Sequence, residues 1–165
     1  MMMKSKIGKL ENVVLKVGSW IPAIVMAIAI FMFSGQVGSE SSGGSERIAH
    51  VLVSVVNEVS GTILSVEDEA QLVEDMQYPI RKCAHMIEYM VLALLICVGL
   101  YAWNARDKRL ILFEFLIAFA YACTDEFHQL FVSGRAGQLR DVMIDSVGIF
   151  VAVAITYIVV LKNRR

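Results

Sequence analysis

The chain has 165 residues, 57% of them hydrophobic, with only 2 prolines and a formal charge of −1. That length fits one domain, and that apolar fraction excludes an ordinary soluble domain and points to an integral membrane protein. Nothing in the charge distribution forms a nucleic-acid-binding patch, and three cysteines in apolar stretches (Cys83, Cys97, Cys123) make neither a disulfide framework nor a zinc motif.

Residues 1–12, with Lys4, Lys6 and Lys9, are a basic segment ahead of a membrane domain expected over 13–162. The first apolar stretch, 13–33, is long enough to cross about 30 Å of hydrocarbon, and Lys16 can snorkel to the interface. No small-residue cleavage pattern closes it, so it is expected to remain as a first span. An outer loop, 34–80, follows. Its part rich in Gly and Ser, 34–45, predicts a flexible connection. From Glu46 onward, Ile48, Val51, Leu52, Val55, Val56 and Val59 recur at helical spacing. This predicts an amphipathic helix lying on the outer leaflet or over the bundle. Ser65-Val66-Glu67-Asp68 is close to a capping box and should start a short acidic helix ending near Tyr78. Pro79 then opens the second span, 83–103, because proline is tolerated in a first helical turn.

The second span contains His85 and Glu88. The third begins at Leu110, and its apolar run, broken by Glu114, ends at Cys123. That run is too short to cross, so the helix must continue through Asp125 and His128 to about residue 131. The fourth span, 142–161, contains Asp145. The expected fold is all-α with four transmembrane helices, because a backbone in lipid must satisfy its own hydrogen bonds.

Lysine and arginine set the orientation. One side collects Lys4, Lys6, Lys9, Lys16, Arg106, Lys108, Arg109, Lys162, Arg164 and Arg165; the other holds Arg47, Arg81, Lys82, Arg135 and Arg140. The first side is expected to be cytoplasmic, with both termini inside. Segments 34–80 and 124–141 then face outward. Glu114, near the cytoplasmic end of its span, is expected to pair with the basic turn at 104–109.

Ionisable groups within spans are costly, roughly 3 kcal/mol for Arg or Asp at a helix centre, so a set of them at one membrane face marks a candidate site. Arg81, His85 and Glu88 share one helical face. Asp125 and His128 share another, with Gln129 alongside, and Asp141 and Asp145 share a third. Gly148 below them permits close helix approach. Lys82 and Glu126 fall off these faces. A histidine beside a carboxylate suits general acid–base work, which selects His85, Glu88, Asp125 and His128 as candidate catalytic groups. Arg81 and Arg135 suit binding of a phosphate or carboxylate. The same imidazoles and carboxylates could hold Zn or Mn, but neighbouring arginines oppose a cation, and no metal or other cofactor is expected. Ion pairs that only lock helices together are the alternative for the whole set.

These residues carry a resemblance. Arg81-Lys82-x-x-His85-x-x-Glu88-Tyr89 and Asp125-Glu126-x-His128-Gln129-x-Phe131-x-x-Gly134-Arg135-x-Gly137-x-x-x-Asp141-x-x-x-Asp145-x-x-Gly148 resemble the two blocks of the VanZ family, and Phe33-Ser34-Gly35-Gln36 resembles its first-span ending. The likeness covers roughly 20–160. It implies a small multi-pass protein of the bacterial cytoplasmic membrane, and it adds Lys82, Tyr89, Glu126, Gln129, Asp141, Asp145 and Gln36 as supporting site residues. The family's namesake is associated with low-level resistance to teicoplanin, a lipid-tailed glycopeptide.

The expected partner is a membrane lipid or lipid-linked cell-envelope intermediate with an anionic group, bound at the outer face; neither catalysis nor an oligomeric state follows from the sequence. A non-catalytic envelope immunity or structural protein is the alternative. Ion or proton conduction ranks third, because the cytoplasmic halves of the spans are apolar.

Overall fold

The computed structural model describes residues 11–35, 38–61, 64–133 and 137–162. Five helices position the site: α1 (Ile21–Ser34), α2 (Gly38–Ser60), α3 (Val66–Ala102), α4 (Asp107–Gln129) and α5 (Leu139–Thr156). No strand occurs among the described residues. Three helical stretches are long and apolar enough to cross a membrane: Glu11–Ser34, Val66–Ala102 and Leu139–Val160. Helix α4 has 23 residues, about 34 Å of axis. Glu114, Asp125 and Glu126 break up its apolar composition.

The stretch before α1 is nearly continuous with it. Pro22, at the start of α1, has no N–H to give to the preceding turn. The chain tightens there, with Trp20 N–H donating to the Val17 carbonyl. The released Lys16 carbonyl accepts from Ser19 Oγ (2.7 Å) and Trp103 Nε1 (2.9 Å). That indole bond ties the start of the first helix to the turn after α3.

Helix α3 is the organiser, packing on α1, α2, α4 and α5. Ser65 caps it by accepting from the Asp68 N–H at 3.1 Å, and Glu67, Asp68 and Glu69 complement the dipole in its first turn. Two expectations are corrected here. The acidic helix does not end near Tyr78: α3 runs unbroken from Val66 to Ala102 through Pro79. Val73 packs with Ala49 and Val53 of α2, and Met76 and Ile80 join that small core from both sides of the proline. Nor is 34–45 wholly a loop, because α2 starts at Gly38. Poor helix formers there are overridden by packing on α3. The buried face of α2 is small (Ser45, Ala49, Val53), whereas the predicted stripe of Ile48, Val51, Leu52, Val55, Val56 and Val59 is exposed.

The main core joins α1, α3, α4 and α5 through Ala23, Ile30, Tyr89, Leu92, Ala93, Ile96, Ala118, Ala122, Ile149 and Ala152. So many alanines let backbones approach closely, the usual packing of helices that associate in lipid. Gly148 is the closest approach: a methyl group there would collide with the Met86 carbonyl oxygen of α3.

Candidate functional site

One end of this bundle collects buried polar side chains from four helices. Asp125 of α4 is its centre and is only 2% exposed. Ser34 Oγ from the end of α1 donates to Asp125 Oδ1 at 2.5 Å. Tyr89 OH of α3 (3.1 Å) and Gln129 Nε2, one turn along α4 (3.2 Å), both donate to Oδ2. Three donors on three helices converge on this one carboxyl group.

Helix α3 supplies the next layer. His85 Nδ1 lies 3.1 Å from Glu88 Oε2, an i,i+3 pair. Lys82 Nζ lies 2.7 Å from Asp141 Oδ2 across the interface with α5. Asp145, one turn deeper, is buried and within electrostatic reach of His85 and Lys82, and of Glu126 and Asp125. Glu126 Oε2 accepts the backbone N–H of Gln138, which fixes the start of α5 against α4. Gly137 allows that approach, since a methyl group there would meet the Glu126 carbonyl oxygen.

Three buried atoms in this end lack a hydrogen-bond partner among the described residues: Asp141 Oδ1, Asp145 Oδ1 and His128 Nδ1. Buried polar atoms are rarely left unpaired, so each of these asks for a donor or acceptor. The His128 ring stacks on Phe31 of α1, centroids 4.1 Å apart. It is therefore held on the α1 side, while Gln129 takes the place beside Asp125. Among the described residues no group of three His, Cys, Asp or Glu side chains has the arrangement to hold a metal.

The structure thus brings together His85, Glu88, Tyr89, Asp125, Gln129, Lys82, Asp141, Asp145 and Glu126 at one end of the bundle. Arg81 is half-buried on the same helix, one residue before Lys82. Gln36 and Arg135 lie outside the described residues. Lys82 and Glu126, placed off the main faces by helical spacing, are an ion-pair partner and a buried carboxyl. Sequence reasoning missed Ser34 as a site residue; its signal was its position in Phe33-Ser34-Gly35-Gln36.

Glu114 corrects another expectation. It does not reach the basic turn: it is fully buried and accepts from Thr156 Oγ1 of α5 at 3.0 Å. Arg106 of that turn instead donates to the Tyr101 and Ala105 carbonyls, closing the end of α3.

Residues 19–160 match the VanZ/LLP1 family. The match takes in all five helices and nearly the whole chain, and the protein belongs to this family of membrane-helix character. No curated protein and no solved structure matches it.

Proposed function

We propose that this protein binds the head group of an anionic lipid, or of a lipid-linked cell-envelope intermediate, in the polar end of its bundle. In this reading α4 is a fourth span, the basic residues at 104–109 and both termini face the cytoplasm of a bacterium, and the polar end faces outward. The length of α4 and the charge segregation support that topology. The exposed aliphatic stripe of α2 would then rest in the outer leaflet.

The observation that carries the proposal is the set of unpartnered buried atoms, Asp141 Oδ1, Asp145 Oδ1 and His128 Nδ1, in the cluster that holds Lys82. A packing contact can leave a single such atom, as Glu114 Oε2 is left at the other end, but three gathered at the end that holds Lys82 ask for a ligand. Arg81, with Arg135, is suited to a phosphate. The carboxylate oxygens ask for hydroxyl or amine donors, so the head group should offer donors as well as negative charge. With Glu88 ionised, His85 Nδ1 donates to it and Nε2 becomes the basic nitrogen, the group best placed to move a proton.

The test is lipid mass spectrometry with elemental analysis on purified wild type and on the R81A/R135A variant. An anionic lipid retained by wild type and lost in the folded variant is expected. A wild type that carries no lipid, and takes up none from added envelope lipid, would sink the proposal. In cells, His85→Ala and His128→Ala should leave the protein inserted but remove its phenotype, with teicoplanin susceptibility as one readout.

A second reading, a charge network that only locks helices, draws on the Lys82–Asp141 pair at 2.7 Å. Exchange of the two (K82D/D141K) separates the readings. Full recovery of function lost in each single variant would make the pair structural; persistent loss would leave it in the site.

A further inference from the structure

At the opposite end of the bundle, a groove of about 400 Å³ runs between α4 and α5. Lys108, Ile111 and Phe115 form one wall, and Phe150, Val153 and Tyr157 the other. Phe115 and Phe150 meet along it with centroids 5.1 Å apart. From Lys108 to Phe115 the groove covers about 10 Å of helix axis, roughly two thirds of one leaflet's hydrocarbon depth. Its wall is hydrocarbon, with a single charge at the mouth. Lys108 has no ion-pair partner among the described residues. Arg109 follows it in sequence, and Lys162 stands at the end of the adjoining helix. Asp107 is the acidic neighbour in sequence, while Glu114 is buried against Thr156.

We infer that this groove holds one acyl chain of an anionic phospholipid, whose phosphate rests on Lys108. An apolar groove covering two thirds of a leaflet accepts the head-group end of a chain, with Lys108 lining it near its mouth, where a lysine keeps its ammonium at head-group level. The charge at the mouth chooses the head group, since basic residues at an interface recruit anionic lipid. The site is separate from the polar end in place and in chemistry. It rests on the reading that α4 and α5 cross the membrane.

The experiment places a tryptophan at the groove's exposed lip, Leu112→Trp, in vesicles of phosphatidylcholine. Quenching of its fluorescence, above the background from Trp20 and Trp103, is compared for phosphatidylglycerol and phosphatidylcholine carrying brominated chains. Phosphatidylglycerol should quench at about fivefold lower mole fraction, the preference one lysine confers on an anionic lipid. Adding Lys108→Gln, an exposed change, should abolish that preference while retaining quenching by both lipids. Equal quenching by both lipids before the Lys108 change would overturn the anionic site and leave the crossing of α4 intact. Quenching by neither would overturn the crossing itself. If inorganic phosphate removes the preference, the site takes free anion rather than lipid, and the inference fails. A dimer whose contact buries the introduced indole would also overturn it, with a second copy as the occupant.

Discussion

Asp125 and Glu114 are two carboxyl side chains on the same helix, three turns apart and both buried, yet they keep different company. Asp125 receives Ser34, Tyr89 and Gln129, and both its oxygens are bonded. Glu114 receives Thr156 on one oxygen, and its Oε2 has no partner among the described residues. The first is a tie between α1, α3 and α4. The second is a single link between α4 and α5. Burial alone therefore does not say what a carboxyl does in a membrane bundle; the number of donors and of helices they come from does.

The largest break in that comparison is Asp125→Ala. It strands the Tyr89 and Gln129 donors in a buried site, while Ser34 Oγ keeps the Phe31 carbonyl at 3.3 Å, and the expected loss of stability is about 3–5 kcal/mol. Denaturation of the purified protein in micelles by SDS, followed by circular dichroism, measures it. An unchanged midpoint would mean that the three contacts hold nothing.

Single donors come next. Tyr89→Phe removes one hydroxyl while keeping the ring, and Ser34→Ala removes another. Each should cost about 1–2 kcal/mol. In an Asp125→Ala background both costs should vanish, because the acceptor is gone. Costs that persist there would belong to packing, and the tie would be reduced to a coincidence of distance.

How far the sequence carried the fold and the candidate site follows the same division. Apolar runs pointed to the three helical stretches long and apolar enough to cross a membrane, Glu11–Ser34, Val66–Ala102 and Leu139–Val160, because hydrocarbon selects composition over a fixed length. Spacing along one helix found His85 with Glu88, since i,i+3 neighbours meet wherever the helix packs. Contacts between helices were hidden. Ser34 reaches Asp125 across 91 positions of chain, and nothing in local patterning records that. Pro79 misled for a related reason: its missing N–H breaks an isolated helix, but Val73, Met76 and Ile80 pack around α2 on both sides of it and carry α3 through. Glu114 misled because basic residues nearby in sequence were weighed, and Thr156, 42 positions away, could not be.

The smallest expected effect sharpens the comparison most. Replacing both members of the Glu114–Thr156 link, as E114L/T156V, removes the buried acceptor and its donor together. An apolar pair of similar volume leaves nothing unsatisfied, and such exchanges are near neutral or stabilising in buried sites. The double variant should unfold within about 1 kcal/mol of wild type, and Glu114→Leu alone, which leaves the Thr156 hydroxyl free to bond back within its own helix, should stay close to it. The matching change at the other end, D125L/Y89F, should remain destabilised, because Gln129 still lacks its acceptor and only Ser34 can fall back on the Phe31 carbonyl. If E114L/T156V falls as far as D125L/Y89F, Glu114 has a partner beyond Thr156, and the contrast between the two carboxyls collapses. If it holds its stability but loses function in cells, Glu114 is a working group of the protein, placed in the half of the bundle where the polar cluster around Asp125 does not reach.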